Sequence, residues 1–282
     1  MSSNTFIHPD TTSPVSGVQY SHVLDGLLRL YPPSELEARN ALSRKDGYWP
    51  FIRDGKDPPP SNTYGEFDFY FFAQLLDRAH DIWKQTNGEQ LRDWSDKVFV
   101  DIGSGTGRLV VAAASLHPSW KACRGIELLP SIHESAVEIM QQCPTVNGAT
   151  TKALQCSQGH NQLTMAPVDL VCGSFDDAHV ALGDSDVIFM FSSAVDQSLL
   201  TQLSRAIGRE CKPGTLIITT DYKLDLEGTV TGMYGAQVPF RLELVDEIDG
   251  WCWCTGGETT AHIHRVTESV RGVPKQPNSE LH

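Results

Sequence analysis

The sequence predicts an α/β fold: a doubly wound, mainly parallel, seven-strand Rossmann-like sheet closed by an antiparallel hairpin. Three observations carry this expectation. From Lys97 onward, short apolar runs alternate with segments of helical spacing, the order that a parallel sheet with crossover helices requires. The first run leads into a glycine turn, Asp101-Ile102-Gly103-Ser104-Gly105-Thr106-Gly107, that opens a helix. Finally, Phe240–Ile248 and Thr259–Val266 alternate with period two, as strands of an antiparallel pair do.

In chain order, residues 1–18 are rich in Ser, Thr and Pro and are expected to be disordered. Residues 19–62 read as a helical extension and a proline-rich linker. Val23, Leu24, Leu27, Leu28 and Leu30 recur at helical spacing until Pro32-Pro33, and Pro58-Pro59-Pro60 holds the chain extended by fixing φ. The main domain is expected over 63–268. It begins with Thr63-Tyr64-Gly65-Glu66-Phe67 and a helix over Phe69–Trp83 with Phe72, Leu75, Leu76 and Ala79 on one face. Strands are expected at Val98–Ile102, Ala122–Glu127, Asp169–Gly173, Val187–Phe191 and Thr215–Thr220. Helices fall between them at Arg108–Leu116, Ser131–Gln141 and Gln197–Arg209. Residues 269–282, with two prolines, read as a flexible tail.

The 282 residues, 40% of them hydrophobic, are enough for one sizeable core. With 35 acids against 22 bases, the formal net charge of −13 repels phosphate backbones, so a nucleic-acid partner is not expected. A basic protein segment or a small amine suits this field better. Seven scattered cysteines read as free thiols of a reducing compartment. The polar start shows no secretory signal, and no apolar run approaches membrane-spanning length. An intracellular protein, cytoplasmic or nuclear, is the expectation; the oligomeric state is not legible.

Gly103, Gly105 and Gly107 allow a sharp turn and a close ligand approach that a Cβ would block. The following helix presents unpaired N–H groups to the turn, and Glu127, at the end of the next strand, is suited to gripping vicinal ribose hydroxyls. The dinucleotide fingerprint wants its third glycine one residue later, where this chain has Arg108. A nicotinamide cofactor is therefore disfavoured.

Asp101 through Gly107 resembles motif I of the class I S-adenosylmethionine (SAM) methyltransferases. With Thr63-Tyr64-Gly65-Glu66, Gly125-Ile126-Glu127, Gly173-Ser174-Phe175, Val187-Ile188-Phe189 and Trp253-Cys254-Thr255-Gly256, the chain is similar to the non-SET histone-core lysine methyltransferases, the disruptor-of-telomeric-silencing-like group. The resemblance implies a SAM site in which the loop Tyr64, Gly65, Glu66 folds over the methionine end and Glu66 pairs with its amino group. Phe175 would stack near the adenine, with Ser174 at its polar edge and Ser192 among the cofactor-lining residues. The expected activity is methyl transfer to a protein lysine, with a small-molecule N-, S- or O-methyltransferase or a non-catalytic SAM-binding module as alternatives.

Departures from the family concentrate on the acceptor side. Arg108 replaces a glutamine, leaving open whether it contacts the SAM carboxylate or faces solvent. Ser192-Ser193-Ala194 stands where the family has asparagines and a phenylalanine, and Thr259-Thr260-Ala261-His262 where it has adjacent tyrosines. Tyr222, Tyr234, Trp251 and Trp253 are candidate walls for an acceptor channel, and His262 or His264 a candidate base for a hydroxyl or thiol acceptor. Cys252, Cys254, His262 and His264 do not match usual zinc spacings, so no metal is expected. No catalytic residue is assigned.

Overall fold

The computed structural model describes residues 20–87, 94–146, 151–156, 162–232 and 235–270. The expected disordered start, most of the expected tail, and Tyr234 lie outside the described residues.

Among the described residues, four α-helices precede the sheet: α1 (Ser21–Leu30), α2 (Leu36–Gly47), α3 (Trp49–Arg53) and α4 (Phe69–Asn87). Pro32-Pro33 ends the α1 path, and the chain re-enters helix through a 3-10 turn at Pro33–Glu35. The proline-rich linker closes in another such turn at Pro60–Asn62. Strands and helices then alternate: β1 (Val98–Ile102), α5 (Arg108–Leu116), β2 (Ala122–Glu127), α6 (Pro130–Gln141), β3 (Ala153–Gln155), β4 (Gln162–Thr164), β5 (Val168–Cys172), β6 (Val187–Met190), α7 (Gln197–Glu210) and β7 (Leu216–Thr220). Last come β8 (Glu227–Thr231), β9 (Gln237–Cys252) and β10 (Gly257–Glu268).

Eight strands form one sheet in the order β5-β2-β1-β6-β7-β10-β9-β8; β5 through β7 are parallel, and β10, β9 and β8 pair antiparallel. The expected seven strands are present, and β8 adds an edge. Only Val230 of β8 is buried, so its sequence carries too little apolar signal to announce a strand. The short pair β3–β4 lies outside the main sheet and was likewise not legible.

The chain winds outward through β1, β2 and β5, then returns across β1 to β6 and β7. That reversal opens a crevice beyond the carboxyl ends of β1 and β6, where ligands of open α/β sheets bind. Both faces of the sheet are covered, which is why β1 is buried throughout. Phe99 packs with α1, α4 and α5, while Val98, Val100 and Ile102 pack toward α7. Phe72 of α4 sits edge-on to Phe99 and Phe189, at 5.9 and 5.2 Å between ring centroids, and Phe67 meets Phe189 and Phe191 at 5.4 and 5.1 Å. Burying each such ring contributes about 1.5–3 kcal/mol and pins the segment before α4 over the crevice. Among the described residues no helix is long and apolar enough to cross a membrane.

Candidate active site

The crevice contains a cavity of about 550 Å³. Its floor is the glycine turn after β1. Gly103 and Ser104 donate their N–H groups to Ile126 O at 2.9 and 3.0 Å, drawing the turn onto β2. Gly105 has φ +55°, and a Cβ there would stand 2.6 Å from Tyr64 Cε2, so only glycine lets the turn and the overlying ring coexist. Gly107, also left-handed, caps α5 and does not line the cavity.

Glu127 reaches back beneath the turn. Its carboxylate accepts from Gly105 N and Leu129 N, each at 2.8 Å, and burial pushes its pKa up despite those donors. Asp101 also lines the cavity, 3% exposed; burial, with the Glu127 charge adding to it, raises its pKa to about 8. Two carboxylates thus face one desolvated space.

The Tyr64–Glu66 loop forms the roof. Tyr64 donates its hydroxyl to Glu66 Oε1 at 2.9 Å and lies 2.8 Å from Thr106 Oγ1. A Cβ on Gly65 would meet Cys254 Sγ at 2.8 Å, so the loop threads closely between its neighbours. Glu66 is buried in an ion network: Arg39 Nε donates to Oε1 at 2.7 Å, and Arg108 Nε stands 3.6 Å from Oε2. Arg108 also donates to Phe67 O at 2.9 Å and is 4% exposed, which removes the solvent-facing alternative for it. Arg39, from α2, is not among the expected site residues; an arginine in a mostly polar helix that also carries Arg44 and Lys45 reads as solvated.

Beyond β5, Gly173, Ser174 and Phe175 line the opposite wall, Phe175 almost fully buried. After β6 the wall is Phe191, Ser193, Ala194 and Val195. Ser192, expected among the cofactor-lining residues, is turned away and fully buried. Its hydroxyl donates to Thr220 O at 2.6 Å and accepts from Thr220 N at 2.9 Å, so it stitches β6 to β7. Asp221, at the end of β7, joins the cavity wall instead.

The expected channel aromatics do not line the cavity: Tyr222, Trp251 and Trp253 are outside it, and Tyr64, Phe67, Phe175 and Phe191 provide the rings. His262 and His264 lie within β10, paired to β7 and β9, not at the cavity. His264 Nε2 accepts from Leu224 N at 3.3 Å, and burial first, then His262, hold its pKa near 4. Cys254 lines the cavity while Cys252 is buried in the core. Among the described residues no group of three or more His, Cys, Asp or Glu converges to hold a metal.

Against known protein families, residues 58–231, more than half of the chain, match the model described as histone methylation protein DOT1. A search of curated proteins gives no match. Among solved structures, a SAM-dependent methyltransferase from Clostridium acetobutylicum is 14% identical, covering 71% of this chain and 99% of its own, with a TM-score of 0.38. Phosphoethanolamine N-methyltransferase 1 of Haemonchus contortus, in complex with phosphoethanolamine and S-adenosylhomocysteine, is 13% identical, covering 86% of this chain and 51% of its own, with a TM-score of 0.42.

Proposed function

The chain is a SAM-dependent methyltransferase belonging to the DOT1 histone methylation family, and on that premise we propose that its acceptor is the primary amine of a protein lysine. The observation that carries this reading is the charge of the cavity. Glu66, Asp101, Glu127 and Asp221 line it; Arg39 and Arg108 balance Glu66, which leaves Asp221, together with Asp101 and Glu127 as an entering cation lowers their raised pKa values, to attract positive charge. A cavity with those carboxylates favours a cationic donor and a cationic acceptor together.

The residues fit the cofactor. The volume lies in the range of small-molecule sites, and the Gly105 turn is a cradle that a Cβ would fill. In this reading Glu127, steadied by two backbone N–H groups, would hold the ribose hydroxyls through its remaining lone pairs. Phe175 and Ser174 would flank the adenine. Arg108, partly compensated by Glu66, would meet the carboxylate of the methionine end, and Tyr64 and Gly65 would cover it. Bound there, SAM supplies an electrophilic methyl carbon to an acceptor lone pair.

The protein's own contribution is orientation and exclusion of water. Phe67 and Phe191 give the middle of the cavity an apolar wall, which favours the neutral form of an amine that has entered. A general base is not needed for such an acceptor beyond a group or solvent that takes one proton.

The test is incubation with methyl-labelled SAM and a cell extract, followed by separation of macromolecules from small molecules. Label in protein, stable to base and found as methyl-lysine after hydrolysis, supports the proposal. Label confined to the small-molecule fraction replaces it with a small-amine acceptor.

A further inference from the structure

We infer that Asp221 is the residue that receives the acceptor's positively charged nitrogen, making the acceptor a primary or secondary amine; the inference deepens the proposed function and rests on it. Sheet geometry gives Asp221 a place apart from the ribose-type carboxylate. Glu127 ends β2 and Asp221 follows β7, with β1 and β6 between them, so three strand spacings, about 14 Å, separate the two ends of the crevice. A ligand held at Glu127 and the glycine turn leaves the β6–β7 end of the cavity for a second molecule. Ser193, Phe191, Thr255 and Asp221 line that end.

Asp221 is held there under constraint. Its φ is +61°, and Tyr222 N donates to Thr220 O at 2.7 Å across it, so it centres a three-residue turn of the rare left-handed kind. Asp221 N donates to Thr260 O at 2.7 Å, which anchors the same turn to β10. On the carboxylate, Oδ1 accepts from Thr259 Oγ1 and from Thr260 N at 3.3 Å, and Oδ2 accepts from Ser193 Oγ. These donors fix the orientation of the carboxylate and leave acceptor capacity on Oδ2.

All these partners are uncharged. Among the described residues no lysine, arginine or histidine lies within salt-bridge distance of Asp221, and the nearby Lys223 is committed to Glu247 at 2.9 Å. An exposed carboxylate that is fixed, unpaired and set in a cavity wall selects a cation, and repels carboxylate or phosphate acceptors. The residue therefore sets specificity: it draws in an ammonium group, orients its nitrogen and can accept the proton that the nitrogen must lose before its lone pair attacks, in a cavity that Phe67 and Phe191 also line.

The test uses analogues of S-adenosylhomocysteine in which nitrogen replaces sulfur and carries an alkyl arm of three to five carbons, ending either in an amine or in a methyl group. Binding is measured by titration calorimetry with the full chain. For the natural sequence, at least one amine-ended arm is expected to bind tenfold or more tighter than its methyl-ended counterpart. In Asp221→Asn, which tolerates the left-handed backbone, that preference should vanish while S-adenosylhomocysteine binds as before. Asp221→Gly, which relaxes the turn, should behave the same way. Absence of any amine preference in the natural sequence, its persistence in both variants, or loss of S-adenosylhomocysteine binding in both would overturn the assignment. Failure of the natural sequence to bind S-adenosylhomocysteine would instead overturn the cofactor reading beneath it, and the assignment with it.

Discussion

Arg39 of α2 and Glu66 of the cavity roof form an ion pair at 2.7 Å with 5% and 1% of their side chains exposed. The helices before the sheet and the ligand cavity therefore share one buried charge contact, reinforced by Arg108 at 3.6 Å from the other carboxylate oxygen. Removing one partner of a buried pair costs roughly 3–5 kcal/mol, because the survivor stays desolvated. Arg108 remains as a counter-charge, so Arg39→Ala should cost nearer 3 kcal/mol. Urea unfolding followed by tryptophan fluorescence measures it, and S-adenosylhomocysteine affinity should fall in parallel because Glu66 and Tyr64 move together. A loss below about 0.5 kcal/mol would show that the pair is not a structural tie.

Gly105→Ala meets two obstacles at once. Its φ of +55° disfavours any Cβ, and the new methyl would stand 2.6 Å from Tyr64 Cε2. The backbone part costs about 1–2 kcal/mol wherever the ring lies. The steric part should be relieved when the ring is removed. In a double-mutant cycle, Tyr64→Ala should therefore mask part of the Gly105→Ala destabilisation, with a coupling of about 1 kcal/mol. Additive effects would mean that the ring and the turn do not press on each other.

What could be read beforehand follows from how local each feature is. β1 and the glycine turn are legible because a fully covered strand is a nearly continuous apolar run, interrupted here by Asp101 alone, and three alternating glycines have few other uses. Glu127 was legible by position, at the end of the next strand. Ser192 departs from its expected place because a serine after a strand looks the same whether it faces a ligand or, as here, spends its hydroxyl on Thr220, 28 residues away. Arg39 is not legible for the converse reason: its partner is 27 residues distant and its own helix is mostly polar. Asp221 had a readable signal, an acid at the carboxyl end of a parallel strand, the same rule that singled out Glu127. Its left-handed φ and uncharged partners exist only in the folded chain.

Glu127 presents a test of the ribose role. Two backbone N–H groups already hold it, so its position does not depend on a ligand. Glu127→Ala should weaken S-adenosylhomocysteine binding by about 1–3 kcal/mol through lost charge-assisted hydrogen bonds, read by calorimetry. The same variant frees Gly105 N and Leu129 N from their carboxylate, so its thermal unfolding must be recorded alongside. A folded variant with unchanged affinity would take Glu127 out of the ligand contacts.

Asp101 makes cofactor binding depend on pH, in a direction fixed by its surroundings. Burial, then the neighbouring Glu127, raise its pKa to about 8, and burial raises that of Glu127 as well. A folded-state pKa above the unfolded one means that the free protein binds protons more readily when folded. Its contribution to stability is complete below the ordinary carboxylate range near 4 and is lost as pH rises through 8. A sulfonium and an ammonium entering the cavity reverse the balance, because a cation lowers the pKa of a nearby carboxylate. SAM binding should therefore release protons near neutral pH, and affinity should rise between pH 6 and 8 before levelling. Calorimetry in two buffers of different ionisation enthalpy counts the protons directly. Asp101→Asn should remove most of the release and flatten the pH profile, whereas proton uptake on binding would contradict the assigned environment of both carboxylates.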